Sequence, residues 1–364
     1  MKNFGFGCMR LPMKDNEVDY EEFSKMIKVF FDNGFTYFDT AHGYIKGKSE
    51  IALRECLTSK YPRESYQLTN KLSDFCFNSN EDIIPFFNKQ LEICGVTYFD
   101  YYLMHCQTSN NYQKYKDCKA YETALQLKKE GKIKHFGISF HDKADFLRKI
   151  LTEYPEIEAV QIQFNYLDYE NPSVEGRKCY EVCREFNKDI LIMEPVKGGS
   201  LINLPSKAQE VFDKLNNGSN ASYALRFTGS FEGVKMILSG MSNLEQMEDN
   251  VSFMKDFKPL SDEEFKAVFE VCDIIKNQNL IACTACRYCV DGCVKNIPIP
   301  EVFASVNQKK QYNDWNSNFY YNISTNNKGK ASDCIMCGKC EKACPQFLPI
   351  RKLLKEASEI FDKK

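Results

Sequence analysis

The sequence is poor in the features that mark most non-globular chains. It carries 18 Gly and 12 Pro in 364 residues, too few for a collagen-like, disordered or low-complexity chain. It also lacks a dominant charge. The 48 Lys and Arg nearly cancel 50 Asp and Glu, for a net charge of -2. No global positive field is therefore available to hold a nucleic acid backbone or an anionic membrane surface. No uncharged apolar run reaches the roughly 18 residues that a membrane span needs. Near the start, Arg10, Pro12 and Lys14 intervene before the apolar core of a signal peptide develops. These absences exclude nucleic acid and membrane as partners and lead us to expect a globular protein of the cytoplasm.

What is present is enough chain for two domains at roughly 150 residues each, or one large domain with an appendage. The composition is 43% hydrophobic and 13% aromatic, ample for a large core. Up to about residue 257, short apolar runs alternate with longer amphipathic segments. Asp19 is placed to cap a helix whose Phe23, Met26, Ile27, Phe30 and Phe31 share one face, and Gly34 marks its stop. Strands are expected at residues 4–7, 35–38, 66–69, 99–104, 133–138, 159–164, 190–193 and 234–238. Helices are expected at 81–93, 121–129, 143–151 and 244–254. Several of the strand runs are near-continuously apolar, as in parallel strands covered on both faces.

Eight such strands with intervening helices match an α/β fold of the closed eightfold TIM barrel type, with a doubly wound open sheet as the alternative. No G-x-G-x-x-G follows a strand, since Gly5-Phe6-Gly7 lacks the third glycine, and this weakens the open-sheet alternative. Pro259 to Asp262 reads as a boundary. The expected division is a barrel over residues 1–257 and a mainly helical domain over 258–364. In the middle of the second domain, Tyr312, Trp315, Phe319, Tyr320 and Tyr321 are expected to serve packing and docking rather than nucleic acid stacking, since the local charge is modest.

Cysteine is the one residue in excess, with 17 in the chain. Nine are scattered: Cys8, Cys56, Cys76, Cys94, Cys106, Cys118, Cys179, Cys183 and Cys272. In a chain without an export signal, clustered cysteines point to metal rather than to disulfides. The other eight form Cys283-x2-Cys286-x2-Cys289-x3-Cys293 and Cys334-x2-Cys337-x2-Cys340-x3-Cys344-Pro345. The second run matches the bacterial ferredoxin pattern, and the first departs from it only in having Val294 in place of proline. The x2 spacings let three thiolates on one loop reach three corners of a cubane, while the fourth cysteine serves the other cluster. Cys283, Cys286, Cys289 and Cys344 are thus assigned to one 4Fe-4S cluster, and Cys334, Cys337, Cys340 and Cys293 to a second. Zinc is the rival, but a four-cysteine zinc site has no use for a third cysteine at the same short spacing. Two clusters in one small helical unit suit an electron relay, and a structural role is the alternative.

Four polar residues fall at or just past expected strand ends: Asp39, Tyr44, Lys71 and His105. In a barrel these ends share one rim, where catalytic groups gather. An ammonium near a phenol favours the phenolate, and a carboxylate beside the lysine holds it charged and in place. Tyr44 can then donate a proton, while a neutral His105 orients a carbonyl oxygen. Singly, each has an ordinary structural explanation. Their joint occurrence at successive strand ends is the informative observation.

The stretch Tyr37-Phe38-Asp39-Thr40-Ala41-His42-Gly43-Tyr44, with Thr69-Asn70-Lys71 and Leu103-Met104-His105, resembles the aldo-keto reductase superfamily. With its cysteine-rich tail, the chain resembles the bacterial and archaeal members that carry a C-terminal 4Fe-4S dicluster ferredoxin domain. The resemblance implies a TIM barrel, an Asp–Tyr–Lys–His tetrad and NAD(P)H-dependent reduction of a small aldehyde or ketone, or oxidation of the alcohol. It implies cofactor contacts at Ser139, Gln161, Met193, Gly199 and Asn250. Phe140 stands where many members have Asn. Gly240, Met241 and Gln246 stand where many members place the Lys, Ser and Arg that grip a 2'-phosphate. These replacements argue against an NADPH preference, because charge-assisted hydrogen bonds are the stronger kind.

Hydride transfer moves two electrons together, whereas an iron–sulfur cluster passes one, so a mediator such as flavin is a further cofactor to consider. Three functions follow. The first and preferred one is a carbonyl or alcohol oxidoreductase whose clusters serve a ferredoxin or another redox partner protein. The second is an electron-transfer protein whose barrel binds flavin or another acceptor. The third is a redox-sensing interaction subunit. No arginine cluster in residues 72–80 or 107–119 announces a phosphate or dicarboxylate substrate.

Overall fold

A computed structural model describes residues 3–312 and 316–362. Two compact units emerge. One comprises residues 1–195 and 221–260, and the other comprises residues 196–220 and 261–364.

The first unit is a closed, all-parallel barrel of eight strands: β1 (Phe4–Gly7), β2 (Tyr37–Asp39), β3 (Gln67–Leu72), β4 (Phe99–Gln107), β5 (Ile133–Phe140), β6 (Ala159–Gln163), β7 (Asp189–Met193) and β8 (Val234–Ser239). Neighbours in sequence are neighbours in the barrel, and β8 closes on β1 through Phe4–Ile237 and Phe6–Ser239. The barrel is a packed core rather than a pore, filled by Tyr37, Tyr101, Leu103, Ala159, Leu191, Met236 and Leu238. Gly137 on β5 is required by this packing, because a Cβ there would stand 2.4 Å from the Ala159 carbonyl oxygen on β6.

All eight expected strands are present, with edges shifted by a few residues. The strand expected to open at Phe35 opens at Tyr37, and β3, β4 and β5 each run two or three residues further. The helix Tyr20–Asp32 starts as expected, with the Asp19 carboxylate accepting from the Glu22 amide at 3.0 Å. Its buried face meets the barrel through ring contacts such as Phe6–Phe23 and Phe4–Phe30, at 5.6 and 5.8 Å between centroids. Each fully buried Phe contributes about 1.5–3 kcal/mol. Sequence reasoning did not anticipate the small hairpin pairing Met13–Lys14 with Glu17–Val18. Its signal is Asp15-Asn16, both at positive φ, the residue types that a two-residue turn of this hand favours.

The second unit is helical. Its helices include Asp262–Asn277, which opens on a Ser261/Glu264 capping box, Ile299–Tyr312, Asn316–Thr325 and Ile350–Phe361. Its core contains Ile297, Ile299, Val302, Phe303, Ile350 and Leu354 together with Cys289 and Cys340. Tyr321 is buried, stacks on Phe361 and accepts the Ala331 amide, so it packs as expected. Phe319 and Tyr320 are exposed, whereas Trp315 lies outside the described residues. The segment 196–220 supplies the helix Ser206–Leu215, which packs on Asp262–Asn277 while the Asn217 amide donates to Glu264.

The two cysteine runs repeat one backbone. Ala285 and Met336, Arg287 and Gly338, and Asn296 and Phe347 occupy equivalent places in the two runs, all at positive φ. Each run leads into a four-residue helix, Tyr288–Asp291 and Lys339–Lys342. Non-glycine residues in this region cost on the order of 1 kcal/mol each, a strain expected where backbone amides must turn toward a bound group.

Candidate active site

At the C-terminal rim of the barrel, Asp39 ends β2, Lys71 lies next to last in β3, and His105 lies two residues before the end of β4. The Lys71 ammonium is fully buried and donates to Asp39 Oδ1 at 2.6 Å, to the Thr40 carbonyl at 2.9 Å and to the Tyr44 hydroxyl at 3.3 Å. Sequence reasoning expects the carboxylate to keep Lys71 charged. The carboxylate does pull the lysine upward, but burial outweighs it and leaves Lys71 below its ordinary value. The other Asp39 oxygen accepts the Gln161 side-chain amide from β6 at 3.0 Å.

Tyr44 is half-buried and sits on the turn after β2, where Ile45, Lys46 and Gly47 all take positive φ. Two tethers hold this turn: Thr40 Oγ1 to Ser49 Oγ at 2.8 Å, and His42 Nδ1 to Glu50 Oε2 at 2.6 Å. Glu50 is fully buried and also accepts from Asn70 and Gln90, whose carbonyl oxygen accepts the Tyr102 hydroxyl. This network is a feature that the sequence reading missed. Its members are spread over 50 positions, and nothing local marks them.

His105 is buried, and its ring lies edge-on to Tyr44 at 6.0 Å between centroids. Its Nδ1 is 2.6 Å from Ser73 Oγ. Burial, then Lys71 and His141, hold His105 well below the ordinary histidine range, so it is neutral at pH 7. His141 follows β5 and is held down to about 4 by burial and then Lys71. Its Nδ1 is shielded from solvent and has no hydrogen-bond partner among the described residues. The site thus contains a second neutral imidazole that the sequence reading did not select. Its one signal is its place directly after a strand end. Cys8 packs against the Asp39–Lys71 pair, and burial pushes its thiol up, as befits a small buried hydrophobe.

The residues expected at a cofactor separate into groups. Ser139 and Gln161 are buried neighbours in register on β5 and β6, and Met193 is half-buried at the end of β7. Asn250 is buried and donates to Ser239 Oγ at 3.0 Å, which ties the end of β8 to the following helix. Asn243 caps the start of that helix, Leu244–Met254, its Oδ1 accepting the Gln246 backbone amide, while Gln246 Oε1 accepts the Ser242 backbone amide. Beside Gly240 stands Arg10, whose stem would lie 3.5–3.7 Å from a Cβ at that position. The Ser242 hydroxyl donates to the Arg10 carbonyl at 2.9 Å. The chain thus returns a cation to the loop from which the sequence comparison removed two. In the second unit, Gly199 takes φ +95, Lys197 Nζ donates to Gln346 at 3.2 Å, and a Cβ on Gly198 would strike the Thr284 carbonyl at 2.4 Å.

The cysteines of the second unit come together across the two runs. Cys293 lines one cavity with Cys334, Cys337 and Cys340. Cys289 has Cys283, Cys286 and Cys344 as its electrostatic neighbours. Backbone amides of Ala285 and Ile297 point at the sulfurs of Cys283 and Cys293, at 3.4 and 3.5 Å. Among the described residues, no three Cys, His, Asp or Glu stand close enough to share a single metal ion. A zinc ion would draw its thiolates to roughly 3.8 Å of one another. Four cysteines around one cavity, and a second group of four that neighbour one another, form an all-thiolate donor set of the kind that iron–sulfur clusters use.

Among the described residues, no helix is long and apolar enough to cross a membrane. A family model described as the aldo/keto reductase family matches residues 3–273, and one described as a 4Fe-4S dicluster domain matches residues 282–348. The chain is 28% identical over 214 residues to "Probable aldo-keto reductase 1" of Glycine max, covering 55% of this chain and 57% of the relative. It therefore spans little more than half of that relative's length. It is 26% identical over 291 residues to "Protein REDOX 2" of Catharanthus roseus, covering 73% of this chain and 84% of the relative. Its barrel resembles that of a Klebsiella pneumoniae aldo-keto reductase solved in complex with NADPH, with a TM-score of 0.60 and 17% identity over 74% of this chain and 90% of that one. The barrel, its rim and the crossed cysteine runs lead to one assignment: the chain belongs to the aldo/keto reductase family and carries a 4Fe-4S dicluster domain C-terminal to its barrel in sequence.

Proposed function

We propose that this protein is an oxidoreductase that interconverts a small carbonyl compound and its alcohol, with Tyr44 as general acid in reduction and general base in oxidation. The observation that carries this reading is the Lys71 ammonium, which touches both Asp39 and the Tyr44 hydroxyl. As Tyr44 gives its proton to the substrate oxygen, the ammonium stabilises the phenolate left behind, and Asp39 fixes the ammonium in that position. In the tautomer whose Nδ1 accepts from the Ser73 hydroxyl, His105 donates through Nε2–H to the same oxygen, and Ser73 anchors the ring. When bound, a reduced nicotinamide supplies hydride to the carbonyl carbon, and 4Fe-4S clusters add one-electron chemistry.

Ser139, Gln161, Met193 and Asn250 are the chain's candidates for the nicotinamide site, with Gly240 and Gln246 along the rest of the cofactor, and Gly199 of the second unit is a candidate by family resemblance alone. Arg10 is added to this set as a cation toward a 2'-phosphate, and the Klebsiella protein solved with NADPH supports a dinucleotide of that kind. Cys283, Cys286, Cys289 and Cys344 would hold one cluster, and Cys334, Cys337, Cys340 and Cys293 the other. We place the protein in the cytoplasm, where thiols remain available to iron. The test is a Tyr44→Phe variant, which keeps the ring and loses the proton. Carbonyl turnover should fall by roughly 10²–10⁴-fold with iron content unchanged. Unchanged turnover would overturn the reading.

A further inference from the structure

Of the eight cysteines in the two runs, all described, Cys337 alone is exposed. The loop that carries it is also unusually apolar for a surface. Ile335 and Met336 are 56% and 49% exposed, and Val294, beside Cys293, is 58% exposed. Val294 and Ile335 line the same cavity as Cys293, Cys334, Cys337 and Cys340. Contiguous exposed apolar side chains ringed by polar groups mark interaction surfaces.

The polar groups on this ring are cationic. Lys295 and Lys339 line that cavity and are exposed, and Lys342 is exposed on the short helix that follows. Glu341, on the short helix after Cys340, is half-buried and occupied by Arg351 at 2.7 Å, and the exposed acids Asp291 and Asp333 do not line the cavity. The asymmetry extends along the sequence. Residues 281–364 hold 13 Lys and Arg against 8 Asp and Glu, in a chain whose net charge is -2. Thiolate-held iron–sulfur groups bring negative charge of their own, which the lysines on this rim offset locally.

We propose that the face formed by Val294, Lys295, Ile335, Met336 and Lys339 is the docking site of a small acidic one-electron carrier protein. The inference rests on the reading of Cys293, Cys334, Cys337 and Cys340 as one cluster's ligands. The exposed apolar residues give the contact its short-range core, and the lysines steer an acidic partner and orient it over Cys337. In the encounter the carrier is oxidised by one electron and the cluster reduced by one, with no atom transferred. Such contacts are small and transient, consistent with a patch of this modest extent.

The test is anaerobic calorimetric titration of the iron-loaded, full-length protein with an acidic plant-type [2Fe-2S] ferredoxin, at low and high salt. Cytochrome c, a basic carrier, is the counter-probe. The ferredoxin should bind at low salt and weaken as salt rises. A Lys295→Glu/Lys339→Glu variant should weaken it by about tenfold or more, and Ile335→Ser/Met336→Ser should weaken it at both salt levels. Lys352→Glu/Lys355→Glu, on the helix Ile350–Phe361, should leave affinity unchanged. These are surface positions, and an unaltered visible spectrum checks that the iron is retained. Absence of ferredoxin binding, equal binding of cytochrome c, or equal losses from the two lysine pairs would overturn the proposal. Tyr44→Phe should leave the affinity intact, so a barrel that proves inert toward carbonyls would defeat the functional reading without touching this one.

Discussion

Lys71 and Asp39 form a buried ion pair at 2.6 Å, both side chains withdrawn from solvent at the end of adjacent barrel strands. A buried pair of this kind adds little net stability, but breaking it leaves one charge uncompensated. Asp39→Asn should therefore destabilise the protein by about 3–5 kcal/mol, read as a lower urea midpoint, and should reduce turnover as well. A Lys71→Met/Asp39→Leu double variant should recover much of the stability and none of the activity.

Ser73→Ala tests the anchoring of His105. The Ser73 hydroxyl is the partner of His105 Nδ1, and its loss frees the ring to turn away from the substrate oxygen. We expect kcat to fall by roughly tenfold, the value of one oriented hydrogen bond, with little change in unfolding midpoint. An equal fall in stability would instead assign Ser73 a merely structural role.

The two imidazoles make stability depend on pH. His105 and His141 are both held below the ordinary 6.5 in the folded state. Between pH 6.5 and about 4 the unfolded chain takes up protons that the folded chain refuses, so stability falls as the solution is acidified through that window. The contribution from His141 is on the order of 3 kcal/mol. Urea midpoints measured across that window should fall toward acid in the wild type, and less steeply in His141→Asn.

Arg10 accounts for a different property. If it meets the 2'-phosphate, Arg10→Ala should raise KM for NADPH by roughly tenfold, the value of a charge-assisted hydrogen bond. KM for NADH should change little. Equal effects on both nucleotides would place Arg10 elsewhere.

The crossed ligand sets predict paired losses of iron. Cys344→Ala removes a ligand from the set of the first run, and Cys293→Ala from the set of the second, on the grouping seen around Cys289 and around the cavity. Each variant should lose roughly half of the bound iron and sulfide, measured by anaerobic metal analysis. The cluster that survives should be the one whose ligands lie mostly in the run carrying the substitution, which spectroscopy of the remaining signal can establish. Bleaching of the visible spectrum by NADH or NADPH would further show that nicotinamide electrons reach the iron.

The barrel was legible because its signals are local and repeated. Near-continuous apolar runs such as Tyr101–Met104 and Ile190–Met193 announce covered parallel strands, and the Asp19 cap and Gly34 stop mark a helix by chemistry confined to a few residues. The strand edges were less legible because hydrogen bonding to a neighbour, rather than composition, sets where a strand begins. The Met13–Lys14 hairpin was too short to show any period.

Residue spacing alone therefore carries the eight strands, the cysteine runs and the four rim residues, because each depends on periodicity or on a fixed count along the chain. It does not carry the Glu50 network, the position of His141, the partner of His105 Nδ1 or the return of Arg10 to the Gly240 loop. Those relationships join residues tens to hundreds of positions apart, and closure of the barrel brings them within hydrogen-bond reach. The same holds for charge state. The order of residues names Lys71 and His105, but only the burial that folding imposes decides that the lysine sits below its ordinary pKa and that the histidine stays neutral.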